Sequence, residues 1–225
     1  MKAKKLAMLA LAAASLSACH AQSQTTTPPY GVFYYQRATL FDALPVDSTD
    51  IIMLGNSLTN GCEWHELLGM PNVKNRGITS DVIAGISDRL PALVNGQPAK
   101  IFLLIGVNDI SHNLPVADIA AEYATLIDKI REQMPNTKLY VQSCLPVNIS
   151  FGKYAGMADK EDEIVDLNTA LKAMADEKGY TYIDLWSAFA DQDGHMRREL
   201  TNDGLHLLGQ GYLVWRDCIL PYINE

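Results

Sequence analysis

From Ile51 onward the chain alternates short, wholly apolar runs with longer segments whose apolar residues return every three or four positions. The first rhythm reads as strands buried on both faces, the second as amphipathic helices. Ile51–Leu54, stopped by Gly55, is the first strand, and Ile101–Ile105 is the strongest. Leu139–Gln142 and Tyr180–Ile183 follow the same pattern, and Asn72–Asn75, ahead of Gly77, is a weaker strand. Ser80 is placed to cap a helix carrying Val82, Ile83, Ile86 and Leu90, which ends near Pro91. Residues 116–134 form the clearest helix: Ile119, Tyr123, Leu126, Ile127 and Ile130 share one stripe, with acidic and basic residues mostly opposite. Further helices are predicted around Ile164–Lys178 and from Gly209 to about Leu220. Ahead of the first strand, Tyr34–Leu44 predicts a short helix ended by Pro45 and packed on the outside of the domain. Strands alternating with helices predict an α/β fold of three layers, α/β/α, with a five-stranded parallel sheet and right-handed crossovers. No internal repeat or second domain is visible.

The N-terminus follows neither rhythm. Lys2, Lys4 and Lys5 precede an apolar run, Leu6–Ala18, too short for the roughly 30 Å of a bilayer core but fitting a secretory signal. Its ending, Leu16-Ser17-Ala18-Cys19, resembles a bacterial lipobox, in which the Cys becomes the lipidated first residue. The chain therefore divides into a signal peptide (1–18), a Gln/Thr/Pro-rich tether (19–29) and one domain (30–225). An exported protein, lipid-anchored through Cys19 and facing periplasm or cell exterior, is the expectation, with no other membrane contact.

Composition narrows the classes further. At 225 residues, 48% hydrophobic and 20% charged, the chain can bury a core without a disulfide scaffold. A net charge of −8, with no basic cluster beyond Lys5, excludes a phosphate-neutralising surface and thus nucleic acid as a partner. Cys62, Cys144 and Cys218 permit one disulfide plus a free thiol, with the pairing open, and each reads more simply as a small buried hydrophobe. Neither the Cys spacing nor the scattered His residues form a metal pair, and no cofactor is expected.

In an open parallel sheet, functional loops gather at the carboxyl ends of the strands. The residues there form a complementary set: Gly55-Asn56-Ser57-Leu58, Asn75-Arg76-Gly77, Gly106-Val107-Asn108-Asp109, and Asp203-Gly204-Leu205-His206 before the last helix. Ser57, on a tight strand-to-helix turn, can act as nucleophile if a base takes its proton. His206 suits that base and can return the proton to a leaving alkoxide. Asp203, three residues earlier, can hold the imidazole's other nitrogen. The backbone N–H of Gly77, the side-chain amide of Asn108 and the N–H of Ser57 itself can donate to an oxyanion. Trp64 and His65, after the nucleophile's turn, and Phe151 and Tyr154, in the loop Val147–Asp159, are candidates for substrate contact.

The four blocks, in this order, resemble the SGNH subgroup of the GDSL hydrolases, over about Ile51 to Tyr222. The subgroup's Ser, Gly, Asn and His are matched by Ser57, Gly77, Asn108 and His206, and the nearest likeness is to bacterial lipoproteins of the platelet-activating-factor acetylhydrolase and sialate O-acetylesterase branch. One departure is Asn56, where the family usually has Asp. The resemblance implies a flavodoxin-like fold and a serine esterase acting through an acyl-enzyme. A small O-acetyl ester of a carbohydrate, such as acetylated sialic acid or another glycan, is the expected substrate. The alternatives are a lysophospholipase or short-chain lipid esterase and, in a different class, a glycan-binding lipoprotein without activity. Oligomeric state has no signature in the sequence.

Overall fold

A computed structural model describes residues 29–225, so the signal segment, Cys19 and nearly all of the tether lie outside the described residues. Helix α1 (Val32–Ala43) leads into strand β1 (Ile51–Gly55), followed by two short helices, α2 (Ser57–Asn60) and α3 (Trp64–Leu68). Then come β2 (Val73–Gly77), α4 (Ile83–Arg89), α5 (Pro91–Val94), β3 (Lys100–Leu104), α6 (Val107–Ser111) and the long α7 (Val116–Gln133). The chain closes with β4 (Lys138–Gln142), α8 (Glu161–Ala173), α9 (Ala175–Lys178), β5 (Thr181–Ile183), α10 (Trp186–Phe189) and α11 (Gly209–Ile223).

The five strands pair in parallel in the order β2-β1-β3-β4-β5. Alternating side chains supply the two layers. Ile52, Leu54, Ile101 and Leu103 pack under α4–α8, whereas Ile51, Met53, Phe102 and Leu104 pack under α3, α10 and α11. The inner strands β1 and β3 are thus covered on both faces, which explains their nearly continuous apolar sequences. The expected three-layer α/β/α architecture is what forms.

Four local expectations are corrected. Ser80 caps nothing: it is exposed with φ +64°, and Val82 holds the N-cap position of α4 without a side-chain bond. The α4 N-terminus is satisfied from elsewhere, since the Asp109 carboxylate accepts the Ile83 N–H at 3.2 Å and Asp81 accepts the N–H of Val82 at 3.0 Å. Helix α1 starts earlier than predicted and is not merely an outer layer. It sends Tyr34 and Phe41 into a small core with Ile78, where the guanidinium groups of Arg37, Arg76 and Arg89 face the Phe41 ring. The predicted helix at 164–178 is interrupted at Met174, and the last helix continues through Pro221.

Candidate active site

The order β2-β1-β3 makes β1 the point where successive connections leave in opposite directions along the sheet, the position at which open parallel sheets place their functional crevice. Ser57 follows β1 directly. The turn is tight: a Cβ on Gly55 would lie 2.3 Å from both the Leu104 carbonyl oxygen and Thr59 Oγ1. Asn56 caps α2 by accepting the Leu58 N–H at 3.0 Å, so the family's usual Asp is replaced by a group that still performs the cap. Ser57 is the first residue of α2, and its N–H has no acceptor among the described residues.

The partner loop approaches from the far end of the chain. His206 Nε2 lies 3.0 Å from Ser57 Oγ, and His206 Nδ1 lies 2.8 Å from Asp203 Oδ2. The other Asp203 oxygen accepts the backbone N–H groups of Leu205 (2.9 Å) and His206 (2.7 Å), so one carboxylate fixes both the loop and the ring. Burial alone would raise the Asp203 carboxyl, but those N–H groups and the imidazole outweigh it and hold it down at about 2. The turn is braced by Asn148, whose N–H donates to the Gly204 carbonyl, and by Thr201 Oγ1, which accepts the Gly204 N–H.

The oxyanion donors are less simple. Asn108 Nδ2 donates one hydrogen to the Asp81 carbonyl at 2.8 Å, which orients the amide and leaves its second hydrogen available. The Gly77 N–H instead donates to Asn75 Oδ1 at 2.7 Å. It is engaged before substrate arrives, so Gly77 is not the free donor that the sequence led us to expect. Asn75, which sequence reasoning passed over, also donates to the carbonyls of Thr59, Asn60 and Cys62, clamping α2 onto β2. Its position two residues before Gly77 in a matched block was the available signal.

The four substrate-contact candidates divide. Trp64 is fully buried, donates from Nε1 to the Thr59 carbonyl at 2.8 Å and packs edge-on to Trp215, so it is a core residue. His65 stays on the surface of α3, 3.6 Å from Glu66. Phe151 packs against the Gly204 turn under the Arg198 guanidinium. Tyr154 joins the triad itself: its hydroxyl donates to Asp203 Oδ2 at 3.1 Å and lies 3.0 Å from His206 Nδ1. Cys62, Cys144 and Cys218 are all free thiols, and burial pushes the first two up to about 12. Among the described residues, no group of His, Cys, Asp or Glu is placed to hold a metal, and no helix is long and apolar enough to cross a membrane.

A nucleophile, base and carboxylate in hydrogen-bond sequence at a strand-end crevice is an arrangement for acyl transfer. The sequence profile of the GDSL-like lipase/acylhydrolase family matches residues 53–214, the span that carries all of these groups. The chain belongs to that family. Like other GDSL-type proteins it is a carboxylic ester hydrolase by membership. Solved structures agree on the fold. A Streptococcus pneumonia protein described as a candidate platelet activating factor is 27% identical, with 85% of this chain and 92% of that one superposed at a TM-score of 0.78. A GDSL-like lipase from Bacteroides thetaiotaomicron is 21% identical over 85% and 97% of the two chains, TM-score 0.74. A variant of a Geobacillus acetyl-xylooligosaccharide esterase is 14% identical over 80% and 96%, TM-score 0.65. No curated protein matches the chain significantly.

Proposed function

We propose that this GDSL-type hydrolase is a serine esterase that removes O-acetyl groups from carbohydrates. The observation that carries the reading is the unbroken hydrogen-bond sequence Ser57–His206–Asp203. Ser57 Oγ attacks the ester carbonyl carbon while its proton passes to His206 Nε2. The resulting imidazolium is stabilised by Asp203, and the oxyanion takes the free hydrogen of Asn108 Nδ2 and the Ser57 N–H. Collapse breaks the bond to the alkoxide, which leaves with the proton from His206, and acetyl-Ser57 remains. Water then attacks the acyl-enzyme as His206 takes its proton, and acetate departs as Ser57 is restored. The solvent-open setting of the triad suits a large acceptor better than a long enclosed acyl chain, and the likeness to an acetyl-xylooligosaccharide esterase points the same way.

The test is a chain-length series of p-nitrophenyl esters, run beside acetylated xylan and O-acetylated sialic acid, with Ser57→Ala as control. Acetate should be the preferred acyl group, acetylated glycan should be deacetylated, and the variant should be silent on all of them. Rates that climb with chain length, together with cleavage of lysophospholipid, would assign a lipid esterase instead. A wild type inert to every ester would leave only a binding role. The lipobox-like ending at Cys19 supports attachment to a bacterial membrane; retention of a Cys19→Ala protein in the membrane fraction would refute it.

A further inference from the structure

A cleft of about 750 Å³ is lined by none of the three triad residues. It opens between the start of α1 and the two segments that position Asn108. Tyr30 and Phe33 supply aromatic walls, Val82 an apolar one, and Thr79, Ser80 and His112 supply hydroxyls and an imidazole. Its inner wall is tied by hydrogen bonds to the segments that hold the catalytic groups. Ser80 adjoins Asp81, whose carbonyl accepts from Asn108 Nδ2, and the His112 N–H returns to the Asn108 carbonyl at 3.0 Å. Thr79 Oγ1 donates to Asn60 Oδ1 at 3.1 Å, and Asn60 ends the short helix that Ser57 begins. An occupant of this cleft therefore touches the segments that hold the oxyanion donor and the nucleophile.

Its chemistry selects among occupants. Among the described residues the lining contains no Lys, Arg, Asp or Glu, so nothing there answers an anionic sugar or a cationic headgroup. Aromatic faces beside hydroxyl and imidazole groups match a molecule with apolar C–H faces and a hydrogen-bonding edge, which describes a neutral pyranose ring. An alkyl chain would leave the hydroxyls and imidazole unmatched. The walls are partly held in advance, since the Tyr30 hydroxyl donates to Asp88 at 2.7 Å and that of Tyr34 to the Gly85 carbonyl at 2.7 Å. Phe33, by contrast, is 43% exposed, a ring left open to solvent at the mouth.

We infer that this cleft is a subsite for a neutral sugar unit of the acetylated acceptor, with Phe33 as its stacking platform. The inference rests on the esterase reading and narrows it from carbohydrate in general to uncharged oligosaccharides.

The experiment compares wild type, Phe33→Ala and Phe33→Trp on acetylated xylotriose, p-nitrophenyl acetate and p-nitrophenyl octanoate. Phe33→Ala should raise KM for acetylated xylotriose about tenfold, the scale of one lost aromatic contact, with kcat held. Hydrolysis of p-nitrophenyl acetate, too small to reach the cleft, should be unchanged, and Phe33→Trp should restore KM. Binding of acetylated xylotriose to Ser57→Ala, followed by calorimetry, should be lost when Phe33→Ala is added. An unchanged KM and unchanged binding would overturn the subsite, as would a penalty confined to the octanoate. A wild type that cleaves p-nitrophenyl acetate but not acetylated xylotriose would overturn the subsite while sparing the esterase reading. Inactivity toward p-nitrophenyl acetate would remove the esterase reading itself.

Discussion

Asn108 has two amide hydrogens, and the fold commits one of them to the Asp81 carbonyl before any substrate binds. The amide's direction is thus fixed in advance, which is the condition under which a donor stabilises developing charge without reorganisation. Asn108→Ala should lower kcat by about 10²–10³, similarly for acetyl and butyryl esters, since the oxyanion is common to both. Steady-state kinetics on the two esters checks this; a penalty confined to KM would deny the role. Tyr154 acts at the same scale. Its hydroxyl shares Asp203 Oδ2 with the imidazole, so it is a positioning residue rather than a substrate contact. Tyr154→Phe keeps the ring packed edge-on to His206 but removes the hydroxyl's hydrogen bond to Asp203. We expect kcat on p-nitrophenyl acetate to fall by about tenfold, the scale of one bond to a charged acceptor, with KM unchanged. A rise in KM without a fall in kcat would return Tyr154 to the substrate-contact class. The triad was legible in the sequence because its members sit in compact blocks, each directly after a strand or before a helix. Tyr154 was legible only as a member of the right loop, because its partners lie 49 and 52 residues away and no local pattern encodes that meeting.

Elements set how closely the nucleophile and the oxyanion loop approach. Helix α2 rests on the end of β2 at Gly77, where an added Cβ would fall 2.2 Å from the Asn60 nitrogen and 2.7 Å from the Asn60 Cα. That neighbour is backbone, so it can yield only if α2 moves, and α2 carries Ser57. Gly77→Ala is therefore expected to displace the nucleophile and lower stability by about 1–3 kcal/mol or more, as overpacking does. Activity should fall on every acyl length alike, with a lower Tm. A normal Tm and a penalty that grows with acyl length would mean that the Cβ enters an acyl pocket instead. The long elements of this fold announce themselves. Helix α7 buries Ile119, Tyr123, Leu126, Ile127 and Ile130, the five residues of its sequence stripe. The elements that were not legible are α3, α5, α6 and α10, which are four or five residues long and hold too few turns for a 3.6-residue period to register. Ser80 misled for a related reason: it has the chemistry of a cap, but the α4 N-terminus is satisfied by Asp109 from across the crevice.

At the scale of the whole molecule, the half-buried Asp203 and the buried Asp109 give stability opposite dependences on pH. Asp203, held at about 2 by its hydrogen bonds despite partial burial, contributes stability that is present above the ordinary carboxyl range and lost as pH falls toward 2. Asp109 runs the other way. Burial pushes it up to about 6, Glu122 and Asp81 add to the rise, and the Ile83 N–H only partly opposes it. One of its oxygens, Oδ2, is buried and has no partner among the described residues, as befits a carboxyl more comfortable when neutral. Its folded state binds the proton more tightly than the unfolded chain does. Its stabilising contribution is therefore complete below the unfolded value near 4, declines as pH rises through about 6, and is absent above that. The difference amounts to something on the order of 2–3 kcal/mol between pH 4 and pH 8. Asp109→Asn keeps an oxygen for the Ile83 N–H and removes the titration. Whatever constant cost its new buried amide brings, the Tm of the variant relative to wild type should improve by roughly 5–10 °C between pH 4 and pH 8. All other carboxylates are common to both proteins, so they cancel in that difference. Thermal unfolding of the two proteins across this range is the measurement, and parallel Tm curves would show that Asp109 is ionised throughout and that the junction between α4 and α6 tolerates its charge.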